Sequence, residues 1–299
     1  DTVVIFAGSG CTGAIAKLIG VLGLRIPSEL EDRWQLSRQI PAEQRPVVFI
    51  GPYEHHSNEV SWRETIADVV PIKQDADGGV CQDDLRNRLQ EYAARPLKIG
   101  SFSAASNVTG IVSDTHGIST LLHEHGALAF WDFAAAAPYV DIEMAAPEGE
   151  PTAYKDAIFL SPHKFIGGPA TPGLLIARRE LFRNRVPDVP GGGTVAYVNP
   201  EDHAYLADPA HREEGGTPAI IEAVRAGLVF QLKEAVGVQT IRAREDEFFR
   251  RAVAAWRDEP AIEILGNVDA HRLSIMSFVV RAPSGNYLHH NFVVAVLND

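Results

Sequence analysis

In Phe159-Leu160-Ser161-Pro162-His163-Lys164-Phe165-Ile166-Gly167-Gly168-Pro169 an apolar strand pattern stops, and a serine, a histidine and a lysine follow at once in a turn rich in glycine and proline. Short apolar runs of the same kind recur on either side. Val3–Ala7, Val47–Gly51, Val69–Lys73, Leu97–Ser101, Ala127–Asp132, Ala157–Ser161 and Gly173–Ala177 predict strands, and Thr12–Leu24, Ser57–Ala67, Asp83–Ala93 and Thr115–His125 predict the helices between them. Strands separated by helices of roughly 10–15 residues signal a mostly parallel α/β sheet, here of the seven-stranded kind with helices on both faces. Such a sheet binds its ligands beyond the carboxyl ends of its strands.

Further on, Pro187–Thr194 with its Gly191-Gly192-Gly193 run is expected to be a loop. Gly215-Gly216-Thr217-Pro218 is another, and it opens a long helical region from Ala219 to about Trp256. Strands near Ile262–Leu265 and Ile275–Val280 and a last helix over Asn291–Leu297 complete the pattern. Residues 1–218 therefore read as a large domain, and 219–299 as a linking helix with part of a smaller α+β domain. The chain starts inside a strand pattern and stops inside an apolar helical one, which reads as a fragment or an excised region.

Composition narrows the function. Hydrophobic residues make up 45% of the 299 and charged ones 22%, the balance of a globular chain rather than a disordered one. A net charge of −12, with no concentrated basic stripe, argues against nucleic acid or an anionic membrane as partner. The longest apolar stretches are broken well short of a membrane span. Two distant cysteines, Cys11 and Cys81, form neither a disulfide framework nor a zinc site, so a reducing, cytoplasmic compartment is the default.

The ends of the strands carry the chemistry. Lys164 follows one of them. A lysine that forms a Schiff base must lie near a carbonyl and be neutral part of the time, which partial desolvation achieves, although a lysine in a turn is also an ordinary solvated residue. Asp132 closes Leu128-Ala129-Phe130-Trp131, where a parallel strand delivers a carboxylate into the ligand crevice or an Asp caps a turn. An amine and a carboxylate so placed suit pyridoxal 5'-phosphate (PLP), whose ring nitrogen needs an acid to stay protonated while the ring acts as an electron sink. His55, in Glu54-His55-His56-Ser57-Asn58, stands where a ring can stack on a flat cofactor or move protons. Adjacent histidines diverge, and no HxxxH or carboxylate set accompanies them, so no metal is expected. Asn107, in Ser106-Asn107-Val108-Thr109-Gly110, offers a donor and an acceptor to a ligand or shapes a turn. Gly8-Ser9-Gly10-Cys11-Thr12-Gly13 matches GxGxxG, and its glycines, helix start and the Cys11 and Thr12 side chains suit either a PLP phosphate or a dinucleotide pyrophosphate. The acidic residue that a dinucleotide site wants about twenty residues on falls in Pro27–Asp32, which reads as a loop before a polar helix.

Taken in order, Gly10-Cys11-Thr12, Glu54–Asn58, Ser106–Gly110, Asp132, Ser161-Pro162-His163-Lys164 and Gly216-Thr217-Pro218 resemble the motifs of fold-type I PLP enzymes of the class V aminotransferase group, cysteine desulfurase branch. The resemblance implies that Lys164 forms the Schiff base with PLP, that Asp132 pairs with the ring nitrogen, that His55 stacks on the ring and that Asn107 lies beside it. It implies phosphate contacts from Cys11, Thr12, Ser161 and His163. It further implies a homodimer in which Thr217 reaches the phosphate of the neighbouring subunit, an amino-acid substrate and, for a desulfurase, a sulfur-acceptor protein. Two departures stand out. Ala135 replaces the glutamine expected against the ring oxygen, and the mobile cysteine and substrate-binding arginine of desulfurases would fall beyond Asp299, as the N-terminal arm would precede Asp1. The competing readings are a nicotinamide-dependent oxidoreductase using the Gly8-Gly10-Gly13 loop, and a PLP-fold scaffold without chemistry, against which Lys164 and Asp132 count.

Overall fold

The computed structural model describes residues 1–299. In chain order the elements are β1 (Thr2–Ala7), α1 (Gly10–Val21), α2 (Ser28–Trp34), β2 (Val47–Ile50), α3 (Val60–Arg63), β3 (Asp68–Pro71), α4 (Gln82–Glu91), β4 (Lys98–Ser103), α5 (Thr115–Glu124), β5 (Leu128–Asp132), β6 (Ala157–Leu160) and β7 (Gly173–Arg178). There follow β8 (Val195–Val198), β9 (His203–Tyr205), α6 (Pro209–Arg212), α7 (Ile220–Val236), α8 (Val238–Trp256), β10 (Ile262–Ile264), β11 (Phe278–Val280) and α9 (His290–Asn298).

Strands β1 to β7 form one sheet in the order β1-β7-β6-β5-β4-β2-β3. The pairs from β3 through β6 are parallel, and β7 alone runs against both of its neighbours. The expected α/β architecture is therefore present, mostly parallel and seven-stranded. Alternation along the central strands sorts their side chains onto two buried faces. Phe49, Phe102, Trp131 and Ile158 join Leu85 and Leu89 of α4, Ile118 and Leu122 of α5, and Val229 of α7. Val48, Ile50, Phe130 and Phe159 join Ile15, Leu18 and Ile19 of α1 and Trp62 of α3 on the other face.

Three sequence expectations are corrected, and one element is added. Ser57–Ala67 is not one helix but a single 3-10 turn, His56–Asn58, and the four-residue α3. Asn58 turns inward there, its amide donating to the Glu54 carboxylate and to the Ser101 carbonyl, which bends the backbone out of a continuous helix. The stretch 219–256 divides at Gly237, whose φ of 83° ends α7 and starts α8. The segment after Thr194, for which the sequence pattern suggests no element, holds the β8–β9 hairpin. The strand foreseen from Ile275 begins only at Phe278, because the Ile275 carbonyl accepts from the Arg272 guanidinium and Leu273 N–H donates to the Gly110 carbonyl.

The turn from β1 into α1 is packed to backbone contact. A Cβ on Gly13 would lie 2.5 Å from the Ala7 carbonyl oxygen, and one on Gly173 would run into the Gly10 carbonyl oxygen. Gly173→Ala must push the glycine loop off β7, and overpacking of that kind is worth about 1–3 kcal/mol. Urea unfolding of the two proteins measures it, and a variant as stable as the parent would show that the loop moves freely.

Candidate active site

Strands β1, β2, β4, β5 and β6 all end at the same edge of the sheet, so the loops that follow them converge. The glycine loop comes first. Gly8 and Gly10 have φ of 43° and 56°, and a Cβ on Gly10 would fall 2.5 Å from His163 Cε1 and 2.7 Å from Ser161 Oγ. Only glycine lets the start of α1 lie so close to the turn after β6. Cys11 N–H then donates to Ser161 Oγ at 2.9 Å, which fixes the two loops to each other.

Beneath the loop after β2 lies Glu54, 8% exposed, whose carboxylate accepts from Gly51 N–H at 3.2 Å, Ser103 N–H at 2.9 Å, Ser103 Oγ–H at 2.6 Å and Asn58 Nδ2–H at 2.8 Å. Asn58 Oδ1 accepts in turn from Ser101 Oγ at 2.6 Å and from Trp62 Nε1 at 3.1 Å. These bonds tie the ends of β2 and β4 together and hold up the neighbouring His55. His55 Nδ1 accepts from Ser57 N–H at 3.1 Å, so the neutral ring carries its proton on Nε2. Ser57 Oγ lies 3.0 Å from the same nitrogen and 2.6 Å from Thr12 Oγ1, which links the histidine loop to the first turn of α1.

Asp132 is 3% exposed. One of its oxygens accepts from Ala134 N–H at 2.7 Å, and the Cys11 thiol hydrogen-bonds to the carboxylate. Burial pushes the Asp132 pKa up, opposed by those hydrogen bonds and then by the charges of Lys164 and His55. Burial and the Asp132 charge together push the Cys11 thiol well up. His163 is lowered by burial and by Lys164 beside it.

His55, Asn107, Asp132, Ala134, Ala135 and Lys164 line one narrow recess, partly open to solvent, whose accessible volume is about 10 Å³. The amine and the carboxylate singled out from separate strand ends thus share one slot, with the histidine ring and the small residues after Asp132. Thr12, Cys11, Ser161 and His163 sit together at the start of α1. Thr217 does not join them; it is exposed, in a loop whose Gly216 and Pro218 border a cleft on the outer side of the glycine loop. Sequence reading missed Ser57 and Ser103. Ser103 carried a trace of its role, since Ser101 and Ser103 are two polar residues in the fully buried strand β4.

The topology removes the basis of the nicotinamide reading. A dinucleotide fingerprint needs its glycine loop inside a β-α-β unit with a parallel neighbouring strand. Here β1 is an edge strand paired only with the antiparallel β7, and β2 lies at the other side of the sheet.

Comparison with known proteins agrees with the geometry. The family model "Aminotransferase class-V" matches residues 35–297, and the chain belongs to that family. It is 30% identical over 239 residues to a cysteine desulfurase of Synechococcus elongatus, covering 78% of this chain and 36% of that protein. It is 29% identical over 238 residues to a probable cysteine desulfurase of Streptomyces coelicolor, covering 78% and 54% respectively. In structure it is similar to the apo cysteine desulfurase of Thermococcus onnurineus, with a TM-score of 0.76 and 20% identity over 99% of this chain and 66% of that one. A cysteine desulfurase from Escherichia coli gives a TM-score of 0.74 at 20% identity, with the same coverage. The chain therefore spans about a third to a half of these curated relatives and two thirds of the solved chains. Class-V aminotransferases and cysteine desulfurases are PLP-dependent. No helix is long and apolar enough to cross a membrane.

The Glu54 carboxyl gives a pH test of this architecture. Burial raises its pKa to about 7 against the pull of its four donors. Below pH 4.5 the group is protonated in both folded and unfolded chains and contributes nothing. As pH rises toward 7 the unfolded chain ionises freely while the folded one resists, so the folded state loses about 3 kcal/mol, a deficit complete above pH 7. Glu54→Gln removes the titration. Its stability relative to the parent should improve by about 3 kcal/mol between pH 4.5 and 8, on top of a fixed offset from its amide facing Asn58. Urea unfolding across that range reads the gap, and a constant gap would mean that the carboxyl ionises as in water.

Proposed function

We propose that the protein is a PLP-dependent enzyme acting on an amino acid, in the cysteine desulfurase-like branch of its family, with Lys164 as the residue that binds the cofactor. The observation that carries this reading is the meeting of Lys164, Asp132 and His55, from three different loops, in one recess. The residues fit the cofactor. A buried carboxylate with no cation bonded to it is the partner that a protonated ring nitrogen requires. The Gly10 cradle brings backbone close to the donors at the start of α1, where a phosphate would be held.

When bound, PLP supplies the electron sink for carbanion chemistry at the substrate. The chain's own groups do the rest. Lys164 would hold the cofactor and would take or return the proton at the substrate α or γ carbon. Asp132 would keep the ring nitrogen charged. His55, fixed by Ser57, would pack against the ring, and Asn107 would orient ligand at the lip. Thr12, Cys11, Ser161 and His163 form the phosphate seat. Thr217 is exposed and does not line its own recess, which supports a role in a partner's site and hence a homodimer. The desulfurase names of the relatives favour cysteine as substrate and a sulfur-acceptor protein as partner. Neither cysteine here is placed as the sulfur-carrying nucleophile, since Cys11 is buried against Asp132 and Cys81 leads into α4. Two unpaired cysteines also favour a reducing, cytoplasmic setting.

The purified chain incubated with PLP should turn yellow, and borohydride should fix the label on Lys164. Lys164→Ala should abolish the visible absorbance while leaving the far-ultraviolet circular dichroism unchanged. A label on another lysine, or an unaltered spectrum in the variant, would overturn the assignment.

A further inference from the structure

Lys155 is the most deeply buried lysine outside the recess, with 1% of its surface exposed. Its backbone N–H donates to the Met144 carbonyl, but its amine makes no hydrogen bond or ion pair to any group of the protein. The side chain instead lines a cleft with Ser113, Thr115, His116 and His271, over a floor that includes Ala104 and Phe133. An ammonium so largely withdrawn from water and without a bonded partner is unfavourable, and such groups are normally paired or neutralised. Glu143, at the same cleft, attracts the amine but makes no ion pair with it; its carboxylate is half-exposed and turned to His116 Nε2 at 3.8 Å.

The cleft also opens at the start of α5, a ten-residue helix. Asp114 caps that helix by accepting from Gly117 N–H at 2.9 Å, which leaves the N–H groups of Thr115 and His116 without an intrahelical partner. Helix start, buried amine and two imidazoles are a donor set for negatively charged oxygen. Asp141 and Glu143 lie at the exposed rim, where solvent screens them.

The cleft stands in a definite relation to the recess. Ser103 and Ala105 line the recess while Ala104 between them lines the cleft, and Asp132 and Ala134 are likewise separated by Phe133. The same two strand ends thus form a wall of both. We propose that the cleft around Lys155 is a second binding site, for a small oxyanion of the carboxylate or phosphate class, set back to back with the recess.

Thermal unfolding of the full chain in phosphate, acetate and chloride at equal ionic strength tests this. Phosphate or acetate should raise the midpoint by several degrees over chloride, and the stronger of the two identifies the class. Lys155→Met, which exchanges the unpaired ammonium for an apolar side chain, should fold and lose the response. Ser161→Ala, altered only at the proposed cofactor phosphate seat, should keep it. A response that survives Lys155→Met, or one lost in Ser161→Ala, would put the anion elsewhere and overturn the site. A second measurement needs no variant. In the parent protein, acetic anhydride labelling of Lys155 should fall at least threefold with the stabilising anion present, while the exposed Lys73 is unaffected. Equal labelling of Lys155 with and without anion would also refute the proposal.

Discussion

Four donors closing on one buried carboxylate hold this sheet's working edge together. Glu54 gathers the ends of β2 and β4 by accepting from Gly51, Ser103 and Asn58, and every one of those contacts spans a loop or two strands. An apolar residue there would pack but would not orient, because dispersion has no preferred direction whereas a carboxylate with four donors has one. The orientation is passed upward. Asn58 is fixed by Glu54, Ser101 and Trp62, the 3-10 turn is fixed by Asn58, and His55 stands at the start of that turn with its ring held by Ser57.

The rest of the edge shows how one set of strand ends serves chemistry on one side and structure on the other. Asp132 faces the recess, and the next residue, Phe133, is buried on the opposite side. Period-two alternation, which sorts apolar side chains between the two helical layers lower in the sheet, continues past the last ladder bonds and sorts polar groups instead. Proteins place their reactive groups on loops because a rigid scaffold can aim them. Here the aim comes from parallel strands in register, Ser103 opposite Asp132 and Asp132 opposite Phe159.

Much of this was legible in the residues. Seven short apolar runs became seven strands because central parallel strands are buried on both faces and read as nearly continuous apolar segments. Lys164, Asp132, His55 and Asn107 were found by looking just past those runs. What escaped depended on distant partners. Ser57 matters because Thr12, 45 residues away, meets it, and Ser103 because Glu54, 49 residues away, does. The β8–β9 hairpin left no alternation to read, since Tyr197 and Val198 are both exposed and a bulge interrupts the register. The break of Ser57–Ala67 followed from a side chain, Asn58, whose inward turn no local propensity announces. Lys155 carries no local signal; only tertiary packing reveals that its side chain is buried along a cleft.

The lone reversed strand has a consequence for how the chain is made. The glycine loop hangs on β1, and β1 pairs with nothing in the sheet but β7, so Thr2–Ala7 must wait for Gly173–Arg178 before they acquire a hydrogen-bonded neighbour. Closing so long a loop places that pairing late on the route to the native state, after the parallel strands with shorter separations have met. Until then Val3 and Ile5, fully enclosed in the finished protein, are bare and adhesive. A nascent chain stalled short of residue 173 would therefore hold a nearly complete sheet and still lack its first wall.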